Sequence, residues 1–316
     1  MLDIGLIGAG VMGANHARLA MGLRDARLTV IVEPDVLKGR AIAEQVGTQH
    51  VTHYEEILEQ VDAAIVAVPT HLHESVVCDL LESGIHVLVE KPIASTVEEG
   101  RRMVEAAKRA DRVLMVGHTE RFNPAVLELE HLVTDPVHVD AQRISPFTSR
   151  IADGVTLDLM IHDLDLLASI DPSAVRDVAA LTQSIHGKDD LTVAILGFES
   201  GLTASVTASR LGQDKVRQLT ITQRDEVIRV DLVRQSITIH RVGRIEPGDG
   251  PGYRQSGIVE VPYLSHRGEP LLLELGHFVD CVLNDSDPLV GGEDGIRAVE
   301  LVDSVQAAAR IGAVSV

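Results

Sequence analysis

The chain has 316 residues, 45% of them hydrophobic, and carries 28 basic against 47 acidic residues, a net charge of −19. That length suits one large domain or two of ordinary size, and the acidic balance argues against nucleic acid and anionic membranes as partners. No apolar run approaches a membrane span. The two cysteines, Cys78 and Cys281, lie in apolar helical patterns without metal-type spacing, so they read as buried thiols and no metal site is expected. The N-terminus enters a strand directly without a basic n-region, so no signal peptide is expected and a cytoplasmic location follows by default. Five lysines, no tryptophan and many acids fit a protein adapted to high salt, where screening relieves self-repulsion. A GC-rich genome fits the same composition.

The first strand is predicted over 2–7. Gly8-Ala9-Gly10-Val11-Met12-Gly13 follows at once, and helical periodicity continues over 15–23. Strand, glycine turn and helix together make G-x-G-x-x-G a dinucleotide-binding signature. Gly8 permits the tight turn, Gly10 admits a pyrophosphate, and Gly13 lets helix and strand pack closely. The helix N-terminus, at Val11 and Met12, presents unpaired N–H groups to the phosphates. A second strand, 27–32, ends at Glu33. An acid there receives hydrogen bonds from the adenosine ribose hydroxyls and repels a 2′-phosphate, which favours NAD over NADP.

Helices are expected over 35–46 and 55–60. The apolar strand 63–68 stops at Pro69-Thr70-His71-Leu72-His73, at a carboxyl end where ligands of open α/β sheets bind. Pro69, Thr70 and His73 are therefore candidates to border the cofactor, and Thr70 is alternatively a cap for the helix 72–83. A further strand, 85–90, ends abruptly in Glu90-Lys91-Pro92. A lysine at that place is set to touch a ligand, and the proline stops the strand. On those three residues alone an ordinary turn with a surface Glu-Lys pair fits as well. A helix over 96–110 and a strand over 113–116 complete a doubly wound parallel sheet.

After His118 the pattern changes. A polar connection opens a helix over 124–133, and strands follow in series over 137–144, 175–184, 191–198, 202–209, 216–222, 226–231 and 236–241. Apolar and polar residues alternate, as in Thr203-Ala204-Ser205-Val206-Thr207. Strands in series indicate an antiparallel or mixed sheet, so a second, α+β domain is expected over 119–316, after a first over 1–118. The stretch 243–257, rich in Gly, Pro and charge, reads as a loop, and helices over 269–283 and 293–311 close the chain. One helix of this domain carries chemistry. Asp158 and His162 are four apart in an apolar helical run, hence on one face a turn apart. A carboxylate beside an imidazole orients it as a general base requires. Asp165 also lies within reach of His162 along the helix.

The glycine loop at 8–13, Glu90-Lys91-Pro92 and Asp158-x-x-x-His162, in that order over nearly the whole chain, resemble the glucose-fructose oxidoreductase/inositol dehydrogenase (Gfo/Idh/MocA) family. The resemblance implies an N-terminal Rossmann domain, a C-terminal domain with an open, largely antiparallel sheet, NAD as cofactor, and Lys91, Asp158 and His162 as the catalytic trio. In that family's reaction Glu90 and Lys91 also border the cofactor. The family's glycines before the catalytic Asp are only partly present, as Asp153-Gly154-Val155. The segment 117–124, Gly-His-Thr-Glu-Arg-Phe-Asn-Pro, is similar to members oxidising the 3-hydroxyl of UDP-N-acetylglucosamine or its uronic acid, which adds Arg121 and Asn123 as substrate-binding candidates. A nucleotide-sugar diphosphate needs cations, for which Arg121, Arg143 and Arg150 are available. For Arg143 and Arg150 a surface ion pair is the simpler reading. An inositol or free-sugar dehydrogenase and a catalytically idle NAD-binding regulator are the alternatives. The exposed face of the second sheet is expected to form a homodimer or homotetramer.

Overall fold

The computed structural model describes residues 1–148, 153–247 and 253–312. They divide into two compact units: Met1–Phe122 with Gly268–Glu300, and Asn123–Arg267 with Leu301 onward.

The first unit begins with β1 (Leu2–Ile7), α1 (Val11–Ala20), β2 (Ala26–Val32), α2 (Val36–Val46), β3 (Gln49–Val51), β4 (Ala63–Val66), α3 (His73–Glu82), β5 (His86–Glu90), α4 (Val97–Ala110) and β6 (Leu114–Gly117). The strands form one sheet in the order β3-β2-β1-β4-β5-β6, and every pairing is parallel. This is the expected doubly wound sheet. Its central strands are apolar on both faces because helices cover both, as β4 shows with four buried residues in succession. The short edge strand β3 was not expected. His50 in it turns its ring against Gly39 of α2 and sets Nε2 2.9 Å from the Glu33 carbonyl oxygen, so side-chain contacts rather than apolar periodicity hold it. Asp35 caps α2 by accepting the Leu37 and Lys38 amides, and Thr96 and Glu99 form a capping box at α4.

The second unit contains α5 (Pro124–Leu127), α6 (Leu129–Leu132), β7 (Pro136–Ile144), α7 (Ile161–Ile170), β8 (Val175–Ser184), β9 (Asp189–Phe198), β10 (Thr203–Ser209), β11 (Val216–Gln223), β12 (Glu226–Asp231), β13 (Ser236–Pro247) and β14 (Tyr253–Glu260). These eight strands make a sheet ordered β14-β13-β12-β11-β7-β10-β9-β8. Only β7 and β10 pair in parallel; the other pairings are antiparallel. Alternation buries one face, with Ala194, Leu196, Ala204 and Val206 inside, and α7 packs on it against β7 and β10. The helices α8 (Pro270–Asn284) and α9 (Gly292–Gly312) follow. No helix among the described residues is long and apolar enough to cross a membrane.

Three expectations are corrected. The helix read over 124–133 is two short turns, α5 and α6, that meet at Glu128, whose carboxylate accepts the Ser265 amide. The stretch 243–257, read as a loop, lies largely within the strands β13 and β14, which pair across a register shift between Val242 and Ile245; residues 248–252 fall outside the described residues. Gly243 is needed there for close approach, since a Cβ would stand 2.5 Å from the Ser256 carbonyl oxygen. The boundary at 118/119 also differs. Residues 119–122 and α8 belong to the first unit, joined by Thr119 to Glu274 and by the Phe122 and His277 rings, while Arg18 of α1 pairs with Glu269 at the start of α8. Such contacts across 150 or more residues leave no trace in local periodicity.

Candidate active site

In the first unit the site is built from the carboxyl ends of β1, β2, β4 and β5. Gly8 has φ +96° and a Cβ on it would stand 2.5 Å from the Ala67 carbonyl oxygen; a Cβ on Gly13 would stand 2.0 Å from that of Gly8. Neither position accepts a side chain. Gly10 by contrast faces open space, with nothing within 4 Å of an added Cβ. The helix behind it has no side-chain cap and no acid in its first turn, so its leading N–H groups remain for an anion. Val11 and Met12 are exposed beside them. These features fit a dinucleotide pyrophosphate.

Glu33 follows β2. Its Oε2 accepts from the Ala9 amide at 2.8 Å and its Oε1 from the Asp35 amide at 3.2 Å, and Lys38 Nζ lies 3.4 Å away. Burial opposes its charge, but the two amides and the ammonium outweigh burial and hold the carboxyl below its ordinary range. The acid expected to select the ribose is therefore ionised and fixed.

His73 has a different task from the one expected. The ring is buried, with Nδ1 3.0 Å from the Pro92 carbonyl oxygen and Nε2 3.0 Å from that of Val68. Burial pushes its pKa down against the pull of these carbonyls, and the ring bridges the loop after β4 and the loop after β5. Pro69 is exposed, and Thr70 opens a 3-10 turn without a side-chain cap hydrogen bond, which removes the capping role considered for it.

Glu90 ends β5 and is buried. Its Oε1 lies 2.7 Å from His16 Nε2, and its Oε2 accepts the Lys91 amide at 3.3 Å. A contact between Glu90 and cofactor was expected; the partners found are His16 and the backbone of Lys91. His16 was missed, and its one sequence signal is a histidine on the apolar face of α1, next to Ala17 and three residues after Gly13. His118 is fully buried and neutral, its pKa pushed down to about 3 by burial and by the Lys91 and Arg121 charges. Arg121 reaches the Leu289 carbonyl oxygen at 3.5 Å.

Asp158 and His162 lie in the second unit, at a junction. Residues Thr156–Met160 form a π-helical turn that continues directly into α7, so the spacing assumed from a regular α-helix does not hold there. Asp158 Oδ2 accepts from Arg210 Nη2 at 2.9 Å, and Arg210 Nη1 also donates to the Asp153 carbonyl oxygen at 2.6 Å. Arg210, buried just beyond β10, gave no sequence signal. Arg143 is buried in a two-pronged pair with Asp163, both N–O distances 2.8 Å, and this ties α7 to β7. That removes Arg143 from the diphosphate candidates, and Arg150 lies outside the described residues. The Asn123 side chain caps α5 by accepting the Ala125 amide and donates to the Leu232 carbonyl oxygen; the residue is buried.

Residues 2–118 match the family model described as oxidoreductase family, NAD-binding Rossmann fold, and residues 125–228 match the GFO/IDH/MocA C-terminal domain. The chain is 30% identical over 260 residues to UDP-N-acetylglucosamine 3-dehydrogenase of Acidithiobacillus ferrooxidans, covering 80% of this chain and 82% of that protein. The solved structure of that enzyme superposes with a TM-score of 0.90 at 26% identity over 98% of each chain. Myo-inositol 2-dehydrogenase of Thermotoga maritima is 28% identical over 324 residues, 95% of this chain and 94% of that one.

Proposed function

The chain belongs to the Gfo/Idh/MocA family of NAD-dependent oxidoreductases, and from that premise we propose that it oxidises a secondary hydroxyl of a sugar, the 3-hydroxyl of a UDP-N-acetylhexosamine. The observation that carries this reading is the match to a UDP-N-acetylglucosamine 3-dehydrogenase at 30% identity over four-fifths of the chain, which agrees with the segment 117–124. Gly8, Gly10, the amides of Val11 and Met12, Glu33, Pro69, Thr70 and Lys91 would hold the NAD. Bound there, NAD supplies the acceptor for the hydrogen that leaves carbon with its electron pair.

The rest is the work of side chains. His162 takes the hydroxyl proton as general base. Asp158, itself held by Arg210, orients the imidazole. The Lys91 ammonium donates to the oxygen as negative charge develops and stabilises it. Arg121 is the cation for the diphosphate.

A second reading, an inositol or free-sugar dehydrogenase, is favoured by the match to myo-inositol 2-dehydrogenase over 95% of this chain. Retention of Lys91, Asp158 and His162 together counts against an idle regulator. Initial rates of NAD reduction with UDP-N-acetylglucosamine, its uronic acid, myo-inositol and free hexoses separate the three. Turnover of the nucleotide sugars is expected; turnover of inositol alone installs the second reading, and NAD binding without turnover the third.

Self-association is part of the proposal. On the outer face of the second sheet Leu181 and Val193 are cross-strand partners, and Ile195 lies on the same face; all three are exposed. A homodimer or homotetramer through this face covers them. Light scattering at micromolar protein checks it, and a monomer in both low and high salt refutes it.

A further inference from the structure

Arg210 follows directly on β10, and its side chain is only 3% exposed. Taking a guanidinium out of water is costly unless a buried partner needs it. For Arg143 the need is plain, because Asp163 is itself buried. Asp158 differs: its side chain is 26% exposed, so water could solvate it without help. Arg210 nonetheless donates Nη2 to Asp158 Oδ2 at 2.9 Å. Its Nη1 donates to the Asp153 carbonyl oxygen at 2.6 Å, and its Nε is buried with no hydrogen-bond partner among the described residues. A leucine would fill this place at lower cost if stability alone were served.

Both ends of the contact are referenced to β9. The Arg210 amide donates to the Asp190 carbonyl oxygen at 2.8 Å, and Ser209 before it pairs with Leu191. Thr156, which opens the π-helical turn bearing Asp158, meets Thr192 through side-chain oxygens 3.0 Å apart. Within the turn the Asp158 amide donates to the Gly154 carbonyl oxygen at 3.1 Å. Gly154 lies close against Asp189, since a Cβ on it would stand 3.1 Å from Asp189 Cβ. Asp189, Asp190, Leu191 and Thr192 all belong to β9. From a backbone fixed to that strand, the guanidinium therefore reaches the carbonyl of the incoming loop and the Asp158 carboxylate at once. A half-exposed aspartate has several staggered rotamers open to it. A planar fork held by two acceptors selects one of them.

We propose that Arg210 is a positioning residue: it selects one orientation of the Asp158 carboxylate and ties it to the loop that leads into the π-helical turn. The effect on turnover rests on the dehydrogenase reading, in which Asp158 orients His162; the orientation of the carboxylate does not.

Arg210→Ala removes the fork and leaves a space that free guanidinium can enter. In the full-length enzyme, with NAD and the sugar that wild type oxidises, kcat is expected to fall about tenfold or more, with little change in KM for NAD. Guanidinium chloride at millimolar concentration should return a large part of the loss, and sodium chloride at equal ionic strength should not. Arg210→Lys keeps the charge but replaces the fork by a point cation, and its kcat should fall between alanine and wild type. In an Asp158→Ala background the Arg210→Ala change should slow turnover by less than about twofold, because Arg210 acts through Asp158. A merely structural role predicts the reverse: a lower melting temperature, no return with guanidinium, and the same factor in both backgrounds. Wild-type kcat in Arg210→Ala, or equal factors in the two backgrounds, overturns the proposal. Should the alanine variant fail to fold, Arg210→Lys carries the same cycle with Asp158→Ala. Crystal structures of wild type and of the Arg210 variant give a reading independent of turnover, in which Asp158 is expected to leave its wild-type rotamer. An Asp158 carboxylate that keeps its place defeats the positioning alone, and a wild type that oxidises no sugar defeats the dehydrogenase reading alone.

Discussion

In the second unit two acids are paired with arginine: the buried Asp163 with Arg143 in a two-pronged pair, and the partly exposed Asp158 with Arg210. In the first unit no arginine among the described residues pairs with the buried Glu274. Burial and the Glu90 carboxylate push its pKa well above the ordinary carboxylate range, while Glu90 is met by an imidazole. The two solutions respond differently to conditions. A guanidinium does not deprotonate in proteins, so the arginine pairs keep their charge across the working pH range. Glu274 has no such fixed partner charge, and burial raises its pKa.

The largest test of that contrast is Asp163→Ala. It leaves Arg143 buried without its carboxylate and should cost about 3–5 kcal/mol of stability in a denaturant melt, whereas Arg143→Leu combined with Asp163→Leu should recover most of the loss. A single variant within about 1 kcal/mol of wild type would remove the arginine pair as a structural tie.

Next in size, His162→Ala is expected to lower kcat about a hundredfold or more, the usual scale of a general base, and to remove the ascending limb of the pH–rate profile. Its stability should be near wild type, because the arginine pairs hold the helix. Single-turnover kinetics on the accepted sugar check this, and an undiminished rate across pH makes the histidine structural.

Glu274→Leu sharpens the other side of the comparison. The folded-state pKa of Glu274 is raised, so its contribution is fully present below the ordinary carboxylate range, where both folded and unfolded chains hold the proton. As pH rises the unfolded chain ionises first, and wild type loses stability until the folded pKa is passed. The leucine variant should therefore equal or exceed wild type by about 1–2 kcal/mol at neutral pH, with the gap closing toward acid. Melts at several pH values read it; a gap that is constant with pH would mean that Glu274 is charged in the fold.

The smallest expected effect is at Glu33. Glu33→Ala removes the ionised acceptor beside the Ala9 amide and should narrow the preference for NAD over NADP by about tenfold. Calorimetric titration with both cofactors measures it, and equal binding of the two by wild type would contradict the ribose-selecting role.

What the amino-acid order determined by itself was local. Period-two and unbroken apolar runs marked most strands of both sheets, β3 and β14 excepted, because burial on one or both faces is written into consecutive residues. The glycine turn and Glu33 were legible because their steric and electrostatic demands act within one β-α-β unit. Lys91 and the pair Asp158 and His162 were legible as motifs, though not their surroundings. Only the tertiary structure decided those. His16 meets Glu90 across 74 residues and Arg210 meets Asp158 across 52, encounters set by strand register and by which helix face turns inward. It also gave His73 backbone carbonyl partners and Arg143 a buried carboxylate, and made a strand of a stretch that composition marks as a loop. The reason is physical: the charge state and partner of a polar side chain depend on what else is buried beside it, and burial belongs to the folded chain, not to any short stretch of sequence.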